Sequence, residues 1–142
     1  MRKLLLISLL ATSVAVGAGA GCSRSDQDVA KDPARIKIAQ VSVDELDQML
    51  ARNECQAVDA NPNTTRQQMG VIPGAVLLAD VDSIDKLPAD KTRSLVFYCA
   101  NPECGASHHA AMKAILAGYS HVKTLPDGIA GWVKAGKKTS SI

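Results

Sequence analysis

The stretch from residue 95 to residue 109 constrains the fold of this 142-residue chain more than any other. It begins with an apolar and aromatic run, Leu95-Val96-Phe97-Tyr98, which predicts a buried strand. Cys99 follows directly, and Asn101-Pro102 and Gly105 indicate a tight loop. Ser107 is a candidate helix N-cap, and the alanines after it recur at helical spacing. The stretch therefore predicts a strand, a cysteine, a tight loop and a helix.

This arrangement has a chemical consequence for Cys99. A loop that leads into a helix points several backbone N–H groups inward, and the helix dipole adds positive potential there. Such an environment lowers a cysteine pKa from ~8.5 to roughly 3.5–7.5, and the same N–H groups can hold an anion or a persulfide. The alternative is that Cys99 is a small buried residue at the end of a strand.

Other segments predict a regular alternation of strands and helices. The predicted strands cover residues 36–41, 56–60, 74–78, 95–98 and 121–125. The predicted helices run from an N-cap at Ser42 to about Arg52, from Thr64 or Thr65 to Gly70, from Ser107 to Ala117, and over a last short segment that carries Trp132. Residues 80–93 predict a short helix or turns.

Strands that alternate with helices favour an α/β fold, with a parallel sheet of about five strands and helices on both faces. The functional site of such a sheet is expected at the carboxyl ends of its strands. Cys99 and Asp59 both lie at such ends.

The first 21 residues predict a secretory signal peptide. Met1-Arg2-Lys3 is basic, and residues 4–20 are apolar or small apart from Ser and Thr. Ala20-Gly21-Cys22 resembles the end of a bacterial lipoprotein box, with Cys22 as the lipidated residue and residues 22–35 as a polar tether. Cleavage after Ala18-Gly19-Ala20 by ordinary signal peptidase, or a retained membrane anchor, is the alternative.

The lipoprotein interpretation is favoured because it gives a role to Cys22, the first residue of the polar tether, as the site of lipid attachment. By the same resemblance, Ser23 after the cysteine indicates the outer membrane of a Gram-negative cell. The domain is then expected at the periplasmic face of that membrane. Ordinary cleavage would instead give a soluble periplasmic or secreted protein, and either route leads to an oxidising compartment.

Four stretches together resemble the rhodanese-like sulfurtransferases. Tyr98-Cys99 and the loop to Ser107 resemble the active-site loop of that family, and Val58-Asp59-Ala60 resembles its first core strand. The other two stretches resemble its Gly-His-Ile-Pro-Gly-Ala signature and its C-terminal end: Gly70-Val71-Ile72-Pro73-Gly74-Ala75, and Ala117-Gly118-Tyr119 with Asp127-Gly128-Ile129-Ala130-Gly131-Trp132. The resemblance covers about Val41 to Lys137.

The resemblance implies a single rhodanese-like domain at residues 36–138, followed by a tail at 139–142. It implies that Cys99 takes sulfane sulfur from a donor such as thiosulfate, becomes a persulfide, and passes the sulfur to a nucleophile. The N–H groups of the following loop would stabilise that persulfide. The residues of this expected anion-binding loop are Ala100, Asn101, Pro102, Glu103, Cys104, Gly105, Ala106 and Ser107.

The sequence departs from the family pattern in the charge of several positions and in the length of the loop. Cys104 stands about where the family loop carries an Arg, and no Lys or Arg lies between Cys99 and His109. Asn61 stands where the family often has an Arg, which Arg66 replaces only if its loop folds back. Val71 stands where the signature often has His, and the loop is longer than usual. Weak use of a dianion such as thiosulfate is therefore expected.

Several side chains have two interpretations each. Cys104 is either a resolving thiol for Cys99 or a residue that merely fills the position of the Arg. Asp59 is either an accessory residue or a turn acid, and His108 is either an accessory residue or a surface histidine. His108 and His109 would permit a soft metal site with the two cysteines, although the spacing matches no standard zinc pattern and no metal or cofactor is expected.

Charge indicates small partners rather than polymers. The net charge is +2 with both signs scattered, so nothing favours nucleic acid or an anionic membrane surface. The expected partners are a small sulfur-donor anion and a thiol acceptor, with membrane contact only through the lipid and a monomeric chain. Two function classes remain: a sulfurtransferase, or a non-catalytic module that binds a partner, a soft metal or a redox species at the Cys99/Cys104 loop.

Overall fold

The computed structural model describes residues 36–142. The predicted signal peptide, the predicted tether and Cys22, the predicted lipidation site, lie outside these residues. No helix within residues 36–142 is both long and apolar enough to cross a membrane.

The described residues form a five-stranded sheet in which every pair of neighbouring strands is parallel. The strands are β1 (Ala39–Gln40), β2 (Gln56–Asp59), β3 (Val76–Leu77), β4 (Leu95–Tyr98) and β5 (Val122–Leu125). Their order in the sheet is β1-β5-β4-β2-β3, so β4 lies at the centre. The central strand is buried over its whole length, as its apolar sequence predicts. The predicted α/β fold is confirmed.

Four helices cover the sheet. They are α1 (Val43–Ala51), α2 (Asn63–Met69), α3 (Ala106–Leu116) and α4 (Gly128–Lys134). The buried side chains of α1 and α4 share one apolar cluster with Val96 and Tyr98, and Met69 of α2 packs against the same cluster. The alanines of α3 pack in a second cluster with Leu95 and Phe97. Since successive strand residues point to opposite faces, the helices cover both faces of the sheet.

Helix α1 begins where its sequence predicts. The Ser42 hydroxyl accepts the Glu45 backbone N–H at 3.2 Å, which satisfies one of the free N–H groups of the first turn. Val43, Leu46 and Met49 then form the buried face of the helix. The Glu45 carboxylate lies 3.5 Å from the Lys123 ammonium on β5.

Two predicted helix caps are wrong. Helix α2 begins at Asn63 behind Pro62, whose restricted φ suits a helix start, so neither Thr64 nor Thr65 is the cap. Helix α3 begins at Ala106 behind Gly105, which places Ser107 inside the first turn rather than at the cap.

The edges of the sheet are shorter than predicted. Only two residues each of β1 and β3 pair with a neighbouring strand. Residues 80–93 form turns rather than a helix, because the Asp80 and Asp90 carboxylates accept the N–H groups of Asp82 and Thr92, at 2.8 and 2.9 Å. These side chains offer the backbone an alternative to helical hydrogen bonds.

The C-terminal tail packs on the domain. Ser140 and Val71 exchange two backbone hydrogen bonds of 2.9 Å in an antiparallel bridge. The Trp132 indole donates to the Lys138 carbonyl at 2.8 Å. The last residues are therefore fixed to the start of the segment that leads into β3.

Candidate active site

Cys99 lies immediately after β4, at the carboxyl edge of the sheet, and the first turn of α4 holds its backbone. The Ile129 N–H donates to the Cys99 carbonyl at 2.8 Å, and the Ala130 N–H donates to the Ala100 carbonyl at 2.9 Å. These are N–H groups that the start of a helix leaves free. Helix α4 therefore fixes the backbone on which the loop begins. We call residues 99–107 the cysteine loop.

Gly128 allows this close approach. Its φ is +60°, and a β-carbon there would lie 2.5 Å from the Cys99 carbonyl oxygen and 2.7 Å from the Ala100 carbonyl carbon. Only a residue without a side chain fits both the conformation and the contact. The sequence signal for this role was the Asp127-Gly128 pair, which indicated a turn but not what the turn would contact.

A turn inside the cysteine loop brings Cys104 back over Cys99. The Asn101 carbonyl accepts the Cys104 N–H at 3.1 Å, and the Asn101 side chain accepts the Glu103 N–H at 3.1 Å. As a result the Cys99 thiol donates to the Cys104 carbonyl oxygen at 3.0 Å. It also lies 3.3 Å from the Ser107 hydroxyl. Ser107, expected to be a helix cap, is instead a polar neighbour of the Cys99 sulfur.

The pKa of Cys99 is raised, so the predicted thiolate at this residue is wrong for this structure. Burial is the largest cause, and the hydrogen bond to the Cys104 side chain adds to it. Hydrogen bonds with the hydroxyl and backbone of Ser107 partly oppose the rise. Cys99 is 1% exposed, so its charged form loses most of its hydration.

The pKa of Cys104 is lowered instead. Burial raises it, but hydrogen bonds outweigh that cost: they come from the Cys99 thiol and from the backbone N–H groups of Ala100, Ala106 and Ser107. The N–H groups of Ala100 and Ala106, which were expected to stabilise a Cys99 thiolate, therefore act on the pKa of Cys104, and that of Ser107 acts on both thiols. The two thiols influence each other's pKa, and Cys104 is the better anion of the two.

The two cysteines also differ in their exposure to solvent. Cys99 is buried and Cys104 is partly exposed. Cys104 lines an open cleft of about 230 Å³ together with Glu103, Ser107, His108 and other residues, among them Gln40 and Thr124 from the strands β1 and β5. The residues that line this cleft include no Lys or Arg. Of the two loop cysteines, Cys104 is therefore the one that an entering small molecule can contact.

A larger cleft of about 650 Å³ lies between α1 and α4 and shares Pro102 with the cysteine loop. Its lining includes Asp44, Asp127 and Lys134 but no cysteine. Its charged groups partly neutralise one another, and the Ser42 hydroxyl in its lining accepts the Glu45 N–H as the cap of α1. Of these two clefts, the smaller one is therefore the one whose lining includes a thiol.

Asp59 and Arg66 meet each other. Helix α2 folds back so that the Arg66 Nε lies 3.3 Å from the Asp59 carboxylate, and both side chains are buried. Arg66 also donates to the carbonyl oxygens of Asp59 and Leu78, at 3.1 and 2.9 Å. This pair ties β2 to the segment after β3, and Arg66 takes over the pairing with Asp59 that Asn61 cannot make.

The pair lies on the opposite face of the sheet from the Cys99 side chain. Asp59 is in register with Tyr98, and neighbouring residues of aligned strands share a face. The Tyr98 hydroxyl on that face accepts the Ile72 N–H at 3.0 Å. Cys99, the next residue, packs in the cluster on the other face. The structure thus does not bring Asp59 or Arg66 to the Cys99 sulfur.

The side chains of the two histidines point in different directions. His108 is exposed and lines the cleft beside Cys104. His109 points to the turn segment, where its Nε2 lies 3.0 Å from the Asp82 carboxylate that also pairs with Lys113. Within residues 36–142, no three His, Cys, Asp or Glu side chains are grouped in a way that could hold a metal ion.

Sequence comparison identifies the family. The model of the rhodanese-like domain matches residues 42–135, and the chain belongs to this family. No curated protein matches the chain.

Solved structures share the fold at low sequence identity. A Bacillus halodurans protein superposes with a TM-score of 0.64 and 21% identity, over 72% of this chain and 77% of that chain. A Rhodopseudomonas palustris protein of unknown function, described as a possible tyrosine phosphatase, gives 0.61 and 20% over 92% and 99%. The 3-mercaptopyruvate sulfotransferase of Escherichia coli gives 0.59 and 20% over 75% of this chain and 52% of that chain.

Proposed function

We propose that this protein is a sulfurtransferase that carries sulfane sulfur as a persulfide on Cys99. The observation that carries the proposal is the position of Cys99, at the end of the central strand and at the start of a loop that leads into α3, within a rhodanese-like domain. In the proposed reaction the Cys99 sulfur bonds to the outer sulfur of a donor. With thiosulfate, its S–S bond breaks and sulfite leaves.

Cys104 is the group that accepts the proton of Cys99 in this reaction. The Cys99 thiol donates to the Cys104 carbonyl at 3.0 Å, which brings the two cysteines into contact, and the pKa of Cys104 lies below its ordinary value while that of Cys99 lies above it. A Cys104 thiolate next to a Cys99 thiol is a base beside a nucleophile, the arrangement that activates weak nucleophiles in enzymes.

The proposed donor is a small sulfur anion and the proposed acceptor is a thiol. Glu103 and the lack of Lys or Arg in the cleft lining disfavour strong binding of a dianion. Slow turnover with thiosulfate is therefore part of the proposal. We propose no nucleic-acid partner and a monomeric chain.

A thiosulfate–cyanide assay tests the proposal. Cyanide accepts the sulfane sulfur, so thiocyanate reports complete turnover. We expect slow thiocyanate formation that Cys99→Ser abolishes and that Cys55→Ser, a matched change at a buried cysteine remote from the loop, leaves in place. Full activity in the Cys99→Ser protein would contradict the role of Cys99.

The second candidate is a non-catalytic module that holds a redox or sulfur species at the same loop. The observation that favours it is the burial of the Cys99 sulfur, which is 1% exposed. No thiocyanate from a folded wild-type protein, together with a reversible change in the oxidation state of the loop thiols, would favour this candidate over the enzyme.

We also propose that the protein is lipidated at Cys22 and acts at the periplasmic face of the outer membrane. The support is the sequence Ala20-Gly21-Cys22 after an apolar segment and before a polar tether. In cells, Cys22→Ser is expected to release the protein from the membrane fraction or to block its processing. A mature N-terminus at Gly21 would show ordinary signal cleavage instead.

A further inference from the structure

Cys104 occupies the part of the cysteine loop where a persulfide would be stabilised. The Cys99 thiol donates to the Cys104 carbonyl oxygen at 3.0 Å, so the two cysteines are in direct contact, and the backbone N–H groups of Ala100, Ala106 and Ser107 help to lower the pKa of Cys104. The loop therefore already holds the Cys104 sulfur close to the Cys99 sulfur, which receives the sulfane sulfur in the proposed function. The turn from Asn101 to Cys104 keeps it there.

We infer that Cys104 resolves the Cys99 persulfide within the same chain, so that the product is free sulfide and a Cys99–Cys104 disulfide rather than a transferred sulfane sulfur. This inference rests on the proposed function, because it begins from the persulfide on Cys99. It makes Cys104 a catalytic residue and changes the reaction from transfer to reduction.

The steps balance in atoms and electrons. When Cys99 attacks the donor, its proton goes to Cys104, as described above. Cys104 then gives this proton to the outer sulfur and bonds to the Cys99 sulfur. The persulfide S–S bond breaks, and hydrosulfide leaves with the electron pair. The sulfane sulfur is reduced by two electrons, and the two cysteine sulfurs are oxidised to a disulfide. An external dithiol reductant then restores both thiols.

Leaving-group chemistry favours this direction of attack. If Cys104 attacked the outer sulfur instead, the Cys99 thiolate would have to leave. A thiolate whose conjugate acid has a raised pKa is a poor leaving group, and Cys99 is such a thiol. Attack at the Cys99 sulfur expels hydrosulfide instead. Hydrosulfide is the better leaving group, because its conjugate acid, hydrogen sulfide, is more acidic than the Cys99 thiol.

The cleft supports the same outcome. The N–H groups of the loop are shared by the Cys104 sulfur, so a persulfide on Cys99 must compete with it for stabilisation. Cys104 also lines the open cleft, whereas Cys99 is buried. An outside thiol that enters the cleft therefore meets a surface to which Cys104 contributes and Cys99 does not.

A single-turnover experiment tests the inference. The full chain, purified in detergent and fully reduced, is freed of reductant and mixed with thiosulfate under anaerobic conditions and without any added thiol. Sulfite reports loading of Cys99, sulfide reports resolution, and intact mass with peptide mapping distinguishes a persulfide from a disulfide. We expect sulfite and sulfide in equal amounts, with Cys99 and Cys104 joined in a disulfide.

Two variants of Cys104 separate the steps. Cys104→Ser and Cys104→Ala are each expected to release sulfite more slowly than the wild type, because the group that accepts the Cys99 proton is lost. They should still retain one extra sulfur on Cys99 and lose sulfide release to the level of a protein-free control. Either variant is sufficient if the other does not fold. Cys55→Ser is the matched control and should behave as the wild type does.

The outcomes distinguish the two proposals. Sulfite release from the wild type with a stable persulfide and no sulfide would overturn the inference and leave the sulfurtransferase standing. Sulfide release that persists in both Cys104 variants would overturn it equally. No sulfite from the wild type or from either variant would overturn the proposed function itself, and the inference with it.

Discussion

Substitution of Gly128 by Ala tests whether α4 sets the geometry of the cysteine loop. The new β-carbon would lie 2.5 Å from the Cys99 carbonyl oxygen, at a φ of +60°. The left-handed conformation costs about 1–2 kcal/mol for a residue with a side chain. Overpacking against a fixed backbone costs about 1–3 kcal/mol more. We therefore expect the free energy of unfolding to fall by roughly 2–5 kcal/mol in total.

Gly136→Ala is the matched control for this substitution. Gly136 also has a positive φ, +72°, but a β-carbon there would meet nothing within 4 Å. Its expected cost is the conformational part alone, about 1–2 kcal/mol. Replacing Gly by Ala also lowers the conformational entropy of the unfolded chain, which stabilises the folded state. Both variants gain this effect equally, so it cancels in the comparison. The difference of about 1–3 kcal/mol isolates the contact with the loop backbone.

Urea unfolding of the two variants provides the measurement, with the difference taken at a common denaturant slope. A second readout is the pH at which Cys104 begins to react with an alkylating agent. Gly128→Ala should move this pH upward, because a displaced loop no longer aims its N–H groups at the Cys104 sulfur, while Gly136→Ala should leave it in place. If Gly128→Ala is no less stable than Gly136→Ala, the argument that Gly128 fixes the loop is wrong.

Three further predictions follow from the structure. In reduced protein under mildly acidic conditions, Cys104 should be alkylated before Cys55, because the pKa of Cys104 is lowered and that of buried Cys55 is raised; equal rates by peptide mass spectrometry would contradict this. Arg66→Met should cost about 3–5 kcal/mol in urea unfolding by leaving the Asp59 carboxylate buried without its partner, and the added change Asp59→Asn should restore part of the loss. Glu103→Arg should raise thiosulfate turnover about tenfold, the effect of one charge-assisted contact of roughly 1.5 kcal/mol, and more than Glu103→Gln, which removes the negative charge alone.

The fold was predictable because its signals are local. The run from Leu95 to Tyr98 is apolar throughout, and the observed β4 has the predicted bounds. Ser42 precedes an apolar stripe at helical spacing, and it caps α1 as predicted. Gly118 has a φ of +97° just past the end of α3, where the sequence predicts a stop. Each of these features depends on residues within a few positions of one another.

The details of the site were not predictable because they depend on contacts between distant segments. The place of Asp59 on the opposite face from Cys99 follows from the register of β2 with β4, which no local pattern fixes. The raised pKa of Cys99 follows mainly from its burial, to which the Cys104 side chain adds, and both depend on how the loop folds over the end of β4. A sequence shows that two cysteines share a loop, but not which of them receives the N–H groups.

The cysteine loop depends on α4 for its geometry, and this dependence determines when the site can form during synthesis. The carbonyl groups of Cys99 and Ala100 find their partners only at Ile129 and Ala130, which the ribosome adds about thirty residues later. Until then the strand and its two thiols can exist without the loop geometry that distinguishes them. The division of labour between the thiols is therefore among the last properties that the growing chain acquires, and a chain interrupted before α4 would carry two ordinary cysteines.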